Sequence, residues 1–175
     1  MKPKEIPSFL FSLSEIARNN NQSIYLVGGA VRDFLLNKRN FDIDIICDMG
    51  AIELAKKLEE EGFAEIKSLH KDFGTAKVII KENKQEIDIA TTRSETYSEP
   101  GALPKTHYPT SIQKDLSRRD FTINAIALKI ENKEIEFIDP FDGRADLRAG
   151  IIQVLHSKSY YEDPTRIFRA IRFAT

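Results

Sequence analysis

The chain has 175 residues, of which 41% are hydrophobic and 30% charged, so it can bury a core and has the ordinary composition of a globular protein. Its formal net charge of −1 gives no overall field that would attract nucleic acid, so a polyanion site would need local basic clusters. The single cysteine, Cys47, excludes an intrachain disulfide and a cysteine-rich zinc site. No apolar stretch reaches membrane-span length and no signal-peptide pattern is present, so we expect no membrane partner and a reducing cytoplasm.

Apolar periodicity and turn residues predict an alternation of helices and strands. In chain order we predict a helix at 8–19, a strand at 23–27, a helix at 30–36, a strand at 42–47, a helix at 51–61, strands at 75–80 and 86–91 joined by a hairpin turn, a structureless loop at 94–111, a short helix at 121–128 leading into a strand near 126–130, a strand at 135–138, a turn-rich loop at 140–150, a strand at 151–155 and a helix from 163 onward. Strands joined by hairpins dominate, so the predicted class is α+β, a mixed or antiparallel sheet with helices on one side.

A glycine pair follows the first predicted strand, within residues 26–33 (LVGGAVRD). Gly28 and Gly29 would let the backbone approach a ligand closely, and the start of the next helix would favour an anion. Arg32, in the first turn of that helix, would add a charge-assisted contact. The alternative is an ordinary tight turn in which Arg32 and Asp33 are surface charges.

Two aspartates alternate with apolar residues in the segment FDIDI, residues 41–45. Side chains alternate along a strand, so Asp42 and Asp44 would point to one face and Phe41, Ile43 and Ile45 to the other. Their Cα atoms would lie roughly 6–7 Å apart. Two convergent carboxylates at that separation suit a pair of hard cations. The alternative is an edge strand with a polar outer face.

The segment RRDFTINA, residues 118–125, is the next candidate. Two arginines precede Asp120, which has the side chain of a helix N-cap. Asn124 follows four residues later, so both side chains would lie on one side of a helical turn. Asn offers a donor and an acceptor, which suits a sugar hydroxyl and a backbone strut equally. Binding and structural roles both stay open.

The final segment carries Arg166, Arg169 and Arg172 at every third residue among apolar residues. At helical spacing they form a cationic stripe beside an apolar face. Arginine forks match phosphate oxygens, so three in a row fit a triphosphate; a solvated face is the alternative. The periodicity runs unbroken to the last residue, so we expect these residues to belong to something longer.

Asp163 and Pro164 precede this stripe. An N-cap aspartate followed by proline is a common helix start, and Arg166 could simply pair with Asp163 at the i,i+3 spacing. The functional alternative is that Asp163 and Arg166 present an acceptor and a donor fork to the edge of a base.

Taken in order, GGAVRD, FDIDI, RRDFTINA, DPFDGRADL and EDPTRIFRAIRFA closely resemble the N-terminal part of class II tRNA nucleotidyltransferases. These are the CCA-adding enzymes, with their A-adding, CC-adding and bacterial poly(A) polymerase relatives. The resemblance covers residues 24–175. It implies a polymerase-β-like nucleotidyltransferase palm, or head, at residues 1–155, followed at 156–175 by the first helix of a neck that reads the incoming base.

The resemblance also implies roles for individual residues. Asp42 and Asp44 match metal-binding positions for Mg²⁺, and Asp88 is the candidate for a third catalytic carboxylate, although Glu86 lies on the same face of its strand. Asp163 and Arg166 match the pair that selects C or A. The positions that the resemblance implies in nucleotide binding are Gly29, Arg32, Arg119, Asp163, Arg166, Arg169 and Arg172, with Arg119 a triphosphate contact. Gly28, Asp120 and Asn124 are further nucleotide-binding candidates from the character of their own segments.

The implied reaction is attack of the 3′-hydroxyl of tRNA on the α-phosphate of CTP or ATP, with release of pyrophosphate. A bacterial poly(A) polymerase and a non-catalytic nucleotide-binding module of the same fold are the alternatives. Whether the product is CCA, CC or A stays open, although the loop at 94–111 lies where the family keeps a flexible element tied to the switch from C to A. The family grips tRNA in later domains, so residues 1–175 are not expected to bind tRNA tightly alone.

Overall fold

A seven-stranded sheet lies at the centre of the protein in this computed structural model, which describes residues 6–38, 42–132 and 134–174. The helices are α1 (Ser8–Asn19), α2 (Gly29–Leu35), α3 (Ala51–Glu60), α4 (Ile112–Ser117), α5 (Gly143–Ala149), α6 (Ser159–Glu162) and α7 (Thr165–Ala174). The strands are β1 (Ile24–Val27), β2 (Ile43–Cys47), β3 (Ala64–His70), β4 (Thr75–Ile80), β5 (Glu86–Thr91), β6 (Ser94–Thr96), β7 (Lys105–His107), β8 (Ala127–Glu131) and β9 (Glu134–Ile138). Short 3₁₀ turns occupy Lys71–Phe73 and Thr122–Asn124.

The strand order in the large sheet is β3-β4-β5-β2-β1-β8-β9, and β6 and β7 form a separate hairpin. Only β2 and β5 are paired in parallel among the described strands; all other neighbours are antiparallel. The predicted α+β class with a mixed sheet is therefore confirmed. The parallel register places Asp44 of β2 directly beside Asp88 of β5, which brings two predicted carboxylates to neighbouring strands.

Helices cover both faces of the sheet, so the prediction that they lie on one side is wrong. Ile24 and Leu26 of β1 pack with residues of α1 and α3 in the larger core cluster. The alternate residues, Tyr25 and Val27, pack with Ile112 and Leu116 of α4 in a second cluster. A central strand that is apolar on both faces needs a cover on each side, because exposed apolar surface is unfavourable in water.

Three predicted segments differ from the structure. The loop at 94–111 contains the hairpin of β6 and β7. The loop at 140–150 contains α5, whose first N–H groups, those of Gly143 and Arg144, donate to the Asp139 carboxylate at 2.8 and 3.0 Å. The strand predicted at 151–155 reduces to a single bridge between Val154 and Phe121.

The remaining differences concern short elements. The helix predicted at 121–128 is a three-residue 3₁₀ turn followed by β8. The sequence analysis did not predict β3, α4 or α6. Phe41, the first residue of the FDIDI segment, and Thr175 lie outside the described residues. Within the described ranges, no helix combines the length and the apolar character that crossing a membrane requires.

Candidate functional site

One cavity of about 680 Å³ lies where the β1–α2 turn, the start of β2, the RRDFTINA segment and α7 meet. Every predicted site residue except Asp88 lines it. They are Gly28, Gly29, Arg32, Asp42, Asp44, Arg119, Asp120, Asn124, Asp163, Arg166, Arg169 and Arg172. The structure therefore brings together motifs that are up to about 140 residues apart in the chain.

The glycine pair allows the backbone to pass close to an arginine. Gly28 has φ 65° and ψ −133°, a conformation that residues with a Cβ rarely adopt. A Cβ at this position would lie 3.3 Å from Arg119 Nη1. Arg32 is held in the same region, because its Nη1 donates to Asn124 Oδ1 at 2.9 Å and its Nε donates to Asp33 Oδ1 at 3.0 Å.

The carboxylates at the start of β2 lie in a negatively charged environment. Ile43 and Ile45 pack against the larger core cluster, so the intervening Asp44 points to the opposite face, where it lines the cavity with Asp42. The Asp44 side chain is exposed to the cavity, but the protein atoms around it partly desolvate the carboxylate, and this is the largest cause of its raised pKa. The charges of Asp88 and Asp42 raise that pKa further, and Arg119 opposes them. Like charges are thus held close together at this point.

A bound divalent cation would relieve that repulsion, and carboxylate oxygens are ligands that Mg²⁺ prefers. Asp42 and Asp44 therefore fit a metal by their chemistry and their place in the cavity. Asp88 stands apart: it does not line the cavity, and its Oδ2 accepts from Lys77 Nζ at 3.0 Å. Across residues 6–38, 42–132 and 134–174, no group of three His, Cys, Asp or Glu side chains is arranged to hold a metal ion.

A buried carboxylate that the sequence analysis missed holds both arginines of the RRDFTINA segment. Asp115 Oδ1 accepts from Arg118 Nε and Nη2 at 3.2 and 3.0 Å, and its Oδ2 accepts from Arg119 Nη2 at 3.0 Å. Burial alone would raise the pKa of Asp115, but Arg119, Arg118 and the N–H of Arg93 outweigh it, and the pKa lies below its ordinary value. The i,i+4 spacing of Asp115 and Arg119 was the available sequence signal.

Asp120 and Asn124 connect α2 to α7. Asp120 Oδ1 accepts from the N–H of Phe121 at 2.8 Å and from Asn124 Nδ2 at 3.1 Å, and its Oδ2 accepts from Arg169 Nε at 2.7 Å. Asn124 also accepts from Arg32, as described above. A continuous chain of side chains therefore runs from Arg32 to Arg169, and both Asp120 and Asn124 make structural contacts as well as lining the cavity.

The start of α7 combines a helix cap with an ion pair. Asp163 Oδ1 accepts from the N–H of Thr165 at 3.0 Å, as an N-cap does. Arg166 is 4% exposed; its Nη1 donates to Ser159 Oγ at 2.6 Å and its Nη2 donates to the carbonyl oxygen of Arg118 at 3.0 Å. Its Nε lies 3.6 Å from Asp163 Oδ2. Arg166 therefore does not belong to a solvated stripe, and its position is closely constrained.

Sequence reasoning also missed three aromatic and acidic residues that line the cavity: Phe173, Glu95 and Tyr97. The Phe173 ring meets Phe121 edge to face at 5.9 Å between centroids, and the Arg32 guanidinium carbon lies 5.0 Å from the Phe173 centroid. Phe173 was assigned only to the apolar face of the terminal helix. Glu95 and Tyr97 fall in the segment predicted to be structureless, which carried no signal for them.

Residues 24–153 match the family described as Poly A polymerase head domain. An A-adding tRNA nucleotidyltransferase of Aquifex aeolicus strain VF5 is 46% identical over 151 residues, which are 86% of this chain and 18% of that protein. An A-adding tRNA nucleotidyltransferase of Halalkalibacterium halodurans is 38% identical over 167 residues, which are 95% of this chain and 38% of that protein.

Solved structures agree. A CCA-adding enzyme in apo form II superposes with a TM-score of 0.88 at 40% identity, covering 97% of this chain and 41% of that one. A tRNA nucleotidyltransferase complexed with a primer tRNA and an incoming ATP analog superposes with a TM-score of 0.79 at 40% identity, covering 93% of this chain and 44% of that one. The chain thus spans less than half the length of these relatives. It belongs to the poly(A) polymerase head-domain family, as the series of five motifs predicted.

Proposed function

We propose that this chain is the catalytic head, with the start of the neck, of an enzyme that adds C, A or both to the 3′ end of tRNA from CTP and ATP. One observation carries the proposal: a single cavity is lined by the paired carboxylates Asp42 and Asp44, by a set of arginines and by the Asp163–Arg166 pair. Residues 1–155 form the head in this proposal and residues 156–175 begin the neck. The family match, which ends at residue 153, supports that division.

Asp42 and Asp44 are proposed to hold Mg²⁺ through their carboxylate oxygens. The ion, when bound, would supply positive charge to the triphosphate and lower the pKa of the attacking 3′-hydroxyl. Asp88 is the candidate third carboxylate because it is the in-register neighbour of Asp44. For that role its side chain has to exchange Lys77 Nζ, 3.0 Å away, for the cation.

The arginines that line the cavity are proposed to bind the triphosphate. Arg119 pairs with Asp115, Arg169 with Asp120 and Arg32 with Asp33. These ion pairs hold the guanidinium groups in fixed orientations while other N–H donors of each group stay available, since a guanidinium carries five. Phosphate oxygens would accept from those donors in bidentate geometry.

The Asp163–Arg166 pair is proposed to read the incoming base. Asp163 supplies an acceptor and Arg166 supplies donors, and their contacts with Thr165, Ser159 and the Arg118 carbonyl keep both groups in place. A rigid pair discriminates between bases, because a base with the wrong donors and acceptors leaves buried polar groups unpaired.

The test is to incubate the full-length enzyme of which this chain is the proposed head with Mg²⁺, each labelled NTP and tRNA that ends either before or after the two C residues, and then to size the products. Both curated relatives quoted above are A-adding enzymes, so the expected first result is a single A on tRNA ending in CC. Addition of CCA or of CC would also support the proposed tRNA nucleotidyltransferase, and it would identify a product other than a single A. A ladder of A residues would favour the bacterial poly(A) polymerase. Nucleotide binding without pyrophosphate release would favour a non-catalytic module and contradict the proposal.

A further inference from the structure

Asp115 is a buried charge at the junction of three chain segments. Its side chain is 0% exposed. It lies on α4, contacts both arginines that follow that helix, and accepts from the N–H of Arg93, which follows β5, at 3.0 Å. Burying a carboxylate is unfavourable unless charged or polar partners surround it. Here every described partner of the carboxylate is an arginine side chain or an arginine N–H.

The two residues whose side chains Asp115 holds contact different ends of the cavity, Arg119 through its guanidinium and Arg118 through its backbone carbonyl. Arg119 lies against the glycine turn, with Nη1 3.3 Å from a Cβ placed on Gly28, and it lines the cavity together with Asp42 and Asp44. Arg118 supplies the carbonyl oxygen that accepts from Arg166 at 3.0 Å. One carboxylate therefore connects the end of the cavity proposed for phosphates with the end proposed for the base.

The contact with Asp115 uses one edge of the Arg119 guanidinium. Nη2 donates to Asp115, whereas Nε is buried and has no hydrogen-bond partner among the described residues. Consecutive arginine side chains repel each other, and each has many rotamers. Arg118 has a second anchor, because its Nη1 donates to Glu95 Oε1 at 3.0 Å, whereas Asp115 is the carboxylate that holds Arg119. The contact with Asp115 therefore fixes the orientation of the Arg119 guanidinium before a ligand binds.

We propose that Asp115 is a positioning residue that orients Arg119 for the triphosphate of the incoming nucleotide. This inference rests on the proposed function and deepens it. Asp115 touches no nucleotide itself; it acts through Arg119. Its removal should therefore weaken recognition of the β- and γ-phosphates and leave recognition of the nucleoside and α-phosphate largely unchanged.

The test is the variant Asp115→Asn, which keeps the size of the side chain and one acceptor oxygen but removes the charge. Its amide nitrogen cannot accept from an arginine. The matched control is Asp48→Asn, because Asp48 Oδ1 also accepts a backbone N–H, that of Ser23 at 2.8 Å, and Asp48 does not line the cavity. Calorimetric titration with ATP, ADP and AMP in the presence of Mg²⁺, below the melting temperature of each variant, gives the affinities.

Wild type and Asp48→Asn should bind ATP more tightly than AMP. In Asp115→Asn the ATP affinity should fall about tenfold or more, as expected when a charge-assisted contact loses its geometry, while AMP affinity stays near the wild-type value. If Asp115→Asn keeps the wild-type ratio of ATP to AMP affinity, the positioning role of Asp115 is overturned, but the proposed triphosphate site is not. Wild-type protein that does not prefer ATP to AMP would overturn the proposed triphosphate site as well.

If Asp115→Asn does not fold, the same nucleotide titrations are made with the variant Asp115→Glu. It keeps the charge and moves the carboxylate by one methylene group. A positioning role predicts a folded protein with a reduced preference for ATP over AMP. A role in neutralising buried charge alone predicts the wild-type preference, and that result would overturn the inference.

Discussion

Replacing Gly28 with alanine tests whether the glycine turn and Arg119 form one unit. Gly28 has φ 65° and ψ −133°, and a residue with a Cβ held in such a region is destabilised by about 1–3 kcal/mol. The added Cβ would also lie 3.3 Å from Arg119 Nη1, so Arg119 has to shift by a few tenths of an ångström. That shift strains its 3.0 Å contact with Asp115. For a chain of this length, a loss of about 2 kcal/mol lowers the melting temperature by roughly 4–8 °C.

The assay is thermal unfolding of Gly28→Ala with and without Mg²⁺ and ATP. Gly150→Ala is the control, because Gly150 has φ 69° and ψ 29° and nothing lies within 4 Å of a Cβ placed at that position; strain there costs about 1–2 kcal/mol. Both variants should melt earlier, but only Gly28→Ala should lose most of the stabilisation by ATP. A Gly28→Ala protein with wild-type melting and wild-type stabilisation by ATP would refute the coupling.

Three further predictions follow from individual carboxylates. Asp44→Asn should abolish nucleotide addition yet melt close to wild type, because the Asp44 side chain is exposed towards the cavity and does not pack in the core; near-normal turnover would exclude the metal-binding role. Asp163→Ala should reduce the selection of CTP and ATP over UTP and GTP, and it should lower the stability by about 1 kcal/mol because a helix cap is lost. If the variant melts earlier but selects nucleotides as wild type does, Asp163 acts only as a helix cap. Burial, the largest effect, raises the pKa of Asp115, but Arg119, Arg118 and the N–H of Arg93 together lower it below its ordinary value. Its stabilising contribution is therefore complete above about pH 4 and becomes progressively smaller as the pH falls further. Denaturant unfolding of wild type and Asp115→Asn from about pH 6 to pH 3 measures it, and a pH-independent difference would contradict an ionised Asp115.

Elements whose signal is local could be predicted from the sequence. The 3.6-residue apolar periodicity of Ser8–Asn19 predicts α1, and the alternation of apolar residues on either side of a turn predicts the hairpin of β4 and β5. The edge strand β3 does not: Ala64–His70 has a bulge between Ile66 and Ser68, and its partner β4 supplies its hydrogen bonds. The strands β6 (Ser94-Glu95-Thr96) and β7 (Lys105-Thr106-His107) have three residues each and contain no hydrophobic residue, so no apolar pattern marks them.

The residues of the site could be predicted because their motifs recur in a known order, but their contacts could not. Asp120 and Arg169 are 49 positions apart, and no periodicity relates them. Arg32 approaches Phe173 only because α7 packs across the RRDFTINA segment. Asp88 was predicted by its strand position, yet the pairing with Lys77 depends on the antiparallel neighbour β4. Such contacts come from tertiary packing rather than from local sequence.

The most direct measurement of the central claim is a crystal structure of the protein with Mn²⁺ and a non-hydrolysable ATP analogue, using the anomalous signal to locate the metal. The proposed function predicts a metal peak at the Asp42 and Asp44 carboxylates, the triphosphate along Arg32 and Arg119, and the adenine edge against Asp163. A nucleotide bound outside the cavity, or bound within it with no metal at Asp42 and Asp44, would contradict the account.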